Sequence, residues 1–521
     1  MTGISDIPQE LIVMIADYLS RKDRHRLAST CRNHYQALIS RLWKELYIES
    51  DFPHFWSKQH QIAPVKPIIT SRRVEQHAPY VHLLRLHGPF QQEYYALKFP
   101  RLHTLIFLHD FSFHTPCNGA ERFDSTLDIP MWHDVHINNA NLIRLNPTIK
   151  NLQIDLGRPN PIPSASFWEA ISTTLHNPSR LCVSGFCPAS SNTLNSFWKA
   201  CNIFEELDIK VDLNTTELLS QLDFPRLRRI ALNVVPGWGG LKFDIQEQLA
   251  WLRRCHNLTK LDWKLTSHRL PKEFMEALEQ RTWPHLEDLS LGDFHDSVDI
   301  RTLSSRLPSL RRFRLRSDQF QLRSDQVYAL SFTAFQKQLF GKIRVLDMAH
   351  SFGFTSRMSL GVLEECVHLN EFKTFVIDAE DIDLESRPWV CLNLKRLEAL
   401  IKVESDESHE DAFDALSRLT HLEHLDSGLD KLTVSEIEKH LPGENNYLQW
   451  SLDSGLDRLS TLTKLRTIGF ADTDQEMTEE ELEWMFDSWP LLEEVKGEFS
   501  GDDGYHSALV DMLHERHISH V

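Results

Sequence analysis

Residues Leu307–Arg316 read LPSLRRFRLR. Leu310, Phe313 and Leu315 follow a fixed order: apolar, two residues, apolar, one residue, apolar. The alternating pair predicts a short strand with one face inward, because successive strand side chains point to opposite faces. The same order returns along the chain. It stands at Val81-Leu84-Leu86, Leu102-Leu105-Phe107, Ile149-Leu152-Ile154, Phe204-Leu207-Ile209, Leu227-Ile230-Leu232 and Leu258-Leu261-Trp263. Leu286-Leu289-Leu291, Ile343-Leu346-Met348 and Leu465-Ile468-Phe470 repeat it, and Leu369-Phe372, Leu394-Leu397, Leu422-Leu425 and Leu492-Val495 are shorter copies.

One such unit cannot bury its own apolar face, so the units must stack. The first apolar residue often follows proline, as in Phe99-Pro100-Arg101-Leu102 and Trp283-Pro284-His285-Leu286. Proline there ends the return helix of the preceding unit. Phe167-Trp168-Glu169-Ala170 is echoed by Phe197-Trp198-Lys199-Ala200, which predicts two return helices with aromatics buried between units. This order of apolar positions resembles the leucine-rich repeat. The resemblance implies an α/β solenoid, a horseshoe with a parallel sheet on its concave side, over residues 80–521.

At the other end, Ile4–Ile48 reads ISDIPQELIVMIADYLSRKDRHRLASTCRNHYQALISRLWKELYI. Pro8 after Ser5 and Asp6 suits a helix start. Leu11, Ile15, Tyr18 and Leu19 recur at helical spacing. Ser20 with Asp23 marks a second start, and Tyr35, Leu38, Ile39, Leu42 and Leu46 stripe a third helix. So few residues cannot bury that much apolar surface among themselves, so a further element is expected to cover it.

The order Ile7-Pro8, Glu10-Leu11, Ile15, Tyr18-Leu19, Asp23, Leu27, Cys31-Arg32, Tyr35, Leu42-Trp43 resembles an F-box. Arg24 stands where that family usually has an apolar residue, and Tyr35 where Trp is common. The resemblance implies an all-α module at 1–49 that docks on the Skp-type adaptor of a cullin-RING ubiquitin ligase. It implies docking residues Ile7, Pro8, Leu11, Ile15, Leu19, Leu27, Cys31, Tyr35, Leu42 and Trp43. Residues 50–79, with Pro53, Pro64 and Pro67, read as a connector. The combination is similar to F-box/leucine-rich-repeat substrate adaptors. Their repeats hold a protein substrate, whose identity this sequence does not reveal. The competing expectation is a repeat scaffold that binds a partner without ubiquitin, its first helices capping the solenoid.

Of the 521 residues, 41% are hydrophobic and 25% charged, ordinary values for folded protein. The longest apolar run, Leu11–Ala16, is too short to cross a bilayer. Asp6 and Glu10 stand where a secretory leader would be basic and then apolar. An intracellular protein, cytoplasmic or nuclear, is expected. The eight cysteines contain no Cys-x-x-Cys pair, so reduced, mostly buried thiols are expected. No phosphate loop, nucleophile elbow or His-Glu-x-x-His is present. His514, His517 and His520 would spread around an exposed terminal helix instead of converging on a metal. No catalytic residue, metal or cofactor is expected.

The net charge is −18. From Ile401 to Val521 there are 9 Lys+Arg and 29 Asp+Glu, net −20, against 47 and 45 before it. That disfavours nucleic acid. The run Glu404–Asp411 reads as a loop, and Glu476–Glu483 as the opening of a helix. Between Arg301 and His350 the balance reverses, with 10 Lys+Arg and 3 Asp+Glu. Strand alternation places Arg312, Arg314 and Arg316 together on the open face, joined there by Lys260 and Lys373. Arginine forks suit carboxylate or phosphate, so this stripe is a candidate substrate contact.

Overall fold

The structure is a computed structural model. It describes residues 7–49, 71–87, 95–108, 129–155, 163–185, 191–210, 222–233 and 245–264, and most of 274–292. It also describes 306–317, 339–351, 354–428 and 447–521, apart from three single positions in the last span. The chain divides into two compact units, Met1–Leu258 and Thr259–Val521.

The first unit begins with α1 (Gln9–Asp17), α2 (Arg21–Ala28) and α3 (Arg32–Leu42). Seven strands follow: β1 (Glu45–Glu49), β2 (Leu83–His87), β3 (Thr104–Leu108), β4 (Asn151–Asp155), β5 (Arg180–Ser184), β6 (Glu206–Lys210) and β7 (Arg229–Asn233). Each pairs in parallel with the next. Leu46, Leu84, Leu105, Leu152, Leu181, Leu207 and Ile230 stand in one register line and are all buried. Parallel strands need long crossovers, and helices supply several of them here. Ala165–Thr174, Ser191–Cys201 and Ile245–Leu252 bury Phe167, Trp168, Phe197, Trp198 and Trp251. The rings form a column, Trp168 to Phe197 at 4.9 Å and Trp198 to Trp251 at 5.0 Å between centroids. The two echoed aromatic pairs are thus the packing between return helices.

The second unit carries β8 (Lys260–Lys264), β9 (Asp288–Gly292), β10 (Arg312–Ser317), β11 (Val345–Ser351), β12 (Glu371–Asp378) and β13 (Arg396–Lys402). After them come β14 (His424–Asp426), β15 (Thr467–Gly469), β16 (Glu494–Lys496) and β17 (Ser519–His520). All pair in parallel in chain order. Leu261, Leu289, Phe313, Leu346, Phe372, Leu397, Leu425, Ile468 and Val495 form its inward line. Both units are therefore α/β stacks of leucine-rich-repeat type, built on the positions that the sequence pattern marks.

Three strands escape that pattern. In β1 the leading position is Trp43, and its inward residue Leu46, expected on the stripe of the third helix, lies in the strand because α3 ends at Leu42. In β5 it is Pro178, buried where the other matching units of this half carry Val, Leu, Ile or Phe. In β17 it is His517, and His520 takes the inward place beside Val495.

The expected terminal helix is corrected accordingly. It ends at Glu515, His517 has a φ of 62°, and His520 Nε2 lies 2.8 Å from the Gly497 carbonyl. Glu404–Asp411 is corrected too. Helix Asp406–Ser417 starts inside it, capped by Ser405, whose hydroxyl accepts from the Ser408 amide. Carboxylates at Asp406 and Glu407 favour that N-terminus through the helix dipole. Glu476–Glu483 does open a helix, through a Thr478–Glu481 capping box. Of the connector, 50–70 lies outside the described residues, and Ser71–His77 is helical. Cys201, Cys255, Cys366 and Cys391 are buried free thiols, and burial pushes each thiol pKa up, Cys391 to about 12. Cys117 and Cys187 lie outside the described residues.

Candidate partner-binding site

Helix α1 starts at Pro8, whose carbonyl accepts from the amides of Leu11 and Ile12 at 3.1 and 3.2 Å. Proline fixes φ ahead of the first turn and loses no needed donor there. Helix α2 starts at Ser20. Its hydroxyl accepts from the Asp23 amide at 3.2 Å and donates to the Asp23 carboxylate at 2.7 Å. That bond holds the Asp23 carboxyl below its usual range. Arg24, the departure from the apolar family pattern, ties α2 back to the end of α1, where its Nε donates to the Leu19 carbonyl at 2.9 Å. Helix α3 starts at Cys31, whose sulfur accepts from the His34 amide at 3.5 Å. The ends of α1 and α3 are joined by a two-bonded Arg41–Asp17 pair, both contacts at 2.8 Å.

Ile12, Ala16, Ala28, Leu38 and Leu42 form the core of these helices. Ile7, Val13, Leu27, Ala37 and Trp43 pack against it. What this core leaves outside is the other stripe of α1. Leu11 is 47% exposed, Met14 57%, Ile15 46% and Tyr18 90%. These positions recur at i, i+3, i+4 and i+7, so they share one helix face. Pro8 is exposed beside them and Leu19 is half-buried. The sequence-derived candidates therefore fall into two sets. Pro8, Leu11 and Ile15 lie at the surface. Ile7, Leu27, Leu42 and Trp43 belong to the packing beneath, and Cys31 caps. Tyr35 is 38% exposed, and its hydroxyl lies 3.3 Å from His77 Nε2. His77 also lies under Trp43, ring centroids 4.2 Å apart, so helix Ser71–His77 covers part of α3.

Met14 and Tyr18 complete the exposed stripe, yet the sequence did not single them out as contacts. Residues 11–16 are apolar without a break, so spacing alone does not distinguish the covered face from the open one.

The arginine stripe is the second candidate. Phe313 and Leu315 are buried, and Arg312 faces the other way, exposed. Arg314 Nη1 lies 3.5 Å from Asp288, and Lys260 lies 3.5 Å from the other oxygen of that buried carboxylate. Lys373 and Arg396 both pair with Glu398. The stripe is thus interleaved with acids. The Arg316 side chain lies outside the described residues. Among the described residues no cluster of His, Cys, Asp or Glu is arranged to hold a metal ion. No helix among them is long and apolar enough to cross a membrane.

Residues 4–49 match the family model described as F-box-like. The F-box-like span covers all three helices and β1. No curated protein matches the chain. Among solved structures, a leucine-rich-repeat protein of Leptospira interrogans matches with 13% identity and a TM-score of 0.37, over 88% of this chain and 99% of that one. The Rad7 and Elc1 complex of yeast matches with 12% identity and a TM-score of 0.38, over 95% of this chain and 90% of that one.

Proposed function

We propose that this chain is the substrate-recognition subunit of an SCF-type ubiquitin ligase. The observation that carries the reading is the open stripe Leu11, Met14, Ile15 and Tyr18 on an F-box-like module. The module's own core is complete without them, and apolar faces of this kind mark protein contacts. A Skp-type adaptor covers the stripe, and Pro8 and Leu19 border the contact. Tyr35 extends it, while Ile7, Leu27, Cys31, Leu42 and Trp43 hold the helices in place. Through the adaptor the chain joins a cullin-RING complex. Bond chemistry belongs to the partners, and this chain raises the local concentration of substrate. The repeats hold a protein substrate, and of the described members of the arginine stripe Arg312 is the exposed one available to it. Cytoplasm and nucleus both suit this role.

A scaffold that binds partners without ubiquitin is the second reading. It draws on β1, which the helical module contributes directly to the first unit, as a capping element would. Co-expression with a Skp-type adaptor separates the two. Wild type should co-purify with it, and Pro8→Ala with Leu11→Ala should not, while both keep the same melting temperature. Undiminished capture by the double variant would remove the adaptor reading.

A further inference from the structure

The starts of the strands in the first unit form a rim. The Lys44 carbonyl accepts from the amides of His82 and Leu83, and the His82 carbonyl from those of His103 and Thr104. The His103 carbonyl in turn accepts from Lys150 and Asn151. Lys44, His82, His103 and Lys150 are therefore consecutive neighbours across the sheet, at steps of about 4.8 Å and over about 14 Å in all. The rings of His82 and His103 lie 5.4 Å apart. Arg101, two residues before His103, is exposed, as are Lys44, His103 and Lys150. Among the described residues no carboxylate forms an ion pair with Lys44, Arg101 or Lys150. Burial and then the positive neighbours His103, Arg101 and Lys44 hold the His82 ring below its ordinary pKa. The patch is bounded. Past Ser179 the rim reaches Glu205, which pairs with Arg226 at 3.0 Å.

The corresponding rim of the second unit is arranged differently. It runs Glu287, Arg311, Arg344, Asn370 and Lys395, so its two arginines, which have no ion-pair partner among the described residues, are bounded by Glu287 and Asn370, and Lys395 pairs with Glu423 at 2.7 Å. Arg466 pairs with Glu493. An unbroken row of basic positions four strands wide, Lys44, His82, His103 and Lys150, therefore stands beside the helical module, in a chain of net charge −18.

We propose that the rim formed by Lys44, His82, Arg101, His103 and Lys150 docks an extended acidic segment of a partner protein. An extended peptide presents same-side residues about 6.8 Å apart, so the row faces two or three successive carboxylates. Nucleic acid is disfavoured. The rim has three fixed cations, where non-specific DNA binding commonly draws on about 6–10 phosphate contacts, and the chain as a whole repels a polyanion. Docking here is independent of adaptor capture by α1.

The test uses the full chain and a fluorescein-labelled twelve-residue peptide alternating glutamate and serine, followed by anisotropy. Wild type should bind it, and more weakly as salt is raised from about 50 to about 200 mM, since the attraction is screened. Lys44→Glu, Arg101→Glu and Lys150→Glu together should weaken binding at least about tenfold. The matched reversal Arg311→Glu, Arg344→Glu and Lys395→Glu in the second unit should change it less than about twofold. That contrast separates a local site from a change in net charge. If the first set does not fold, the same three residues changed to glutamine carry the test, with a smaller loss. Equal binding by the rim variant and wild type, or equal losses in both reversals, would overturn the proposal. So would tighter binding of a labelled oligothymidylate than of the peptide.

Discussion

Helix α1 and the aromatic column of the first unit draw on the same kind of side chain and dispose of it in opposite ways. In the column, Phe167, Trp168, Phe197, Trp198 and Trp251 are all buried, with Trp168 meeting Phe197 and Trp198 meeting Trp251 between return helices. In α1, Leu11, Met14, Ile15 and Tyr18 stay in water, although Ile12 and Ala16 one face away are buried. Richness in apolar residues therefore carries little functional information in this chain. What carries it is whether the fold completes the burial. The charged rims differ in the same sense. In the second unit Lys395 and Arg466 meet carboxylates and Glu287 interrupts the row, and in the first unit the basic row runs unbroken across four strands.

The contrast can be broken at either end. Trp198→Ala should cost about 3–5 kcal/mol of stability, as large-to-small changes at buried aromatics do. Thermal unfolding measures it, and below the new transition adaptor capture should be unchanged. Met14→Ala with Tyr18→Ala should do the converse. Adaptor affinity should fall about tenfold or more, near 1.4 kcal/mol, with the melting temperature kept; calorimetric titration against the adaptor reads it. A large stability loss from this pair would mean that the stripe is covered by the chain itself. Ser20→Ala should cost about 1 kcal/mol through the lost cap, and NMR titration should show the Asp23 carboxyl returning toward its ordinary range. The smallest effect is at the open rim. The His82 pKa lies below its ordinary value of 6.5 in the folded chain. As pH falls beneath 6.5 the unfolded chain takes up that proton first, so stability should decline with falling pH in that window. Arg101→Gln should narrow the window, visible as a His82 ring that titrates closer to 6.5.

Much of the fold was legible because inward positions obey a spacing that few other structures impose. Leu310, Phe313 and Leu315 are buried as that spacing requires. The missed strands share one cause: a residue with another evident use occupies the diagnostic position. Trp43 ends a helix, Pro178 reads as a turn, and His517 and His520 look polar. The site was legible as a module and less so as a surface. The F-box-like order identifies α1, but its uninterrupted apolar run conceals which side the core takes. The arginine stripe shows a further limit. Alternation places Arg314 on the open face, yet its partner Asp288 sits one strand away and 26 positions earlier in sequence, a pairing that local spacing does not register.

Strand β1 determines how this protein can be cut. Its five residues pair with β2 from Glu45↔Leu83 to Glu49↔His87, while Trp43 packs on His77 from the same segment. A fragment that begins after residue 49 removes a strand as well as a helical module. It leaves the edge of β2 bare, and an exposed edge invites pairing with other chains. Such a fragment should aggregate for reasons unrelated to lost adaptor binding. Separating the two activities therefore calls for point changes on α1, with the boundary between them left intact.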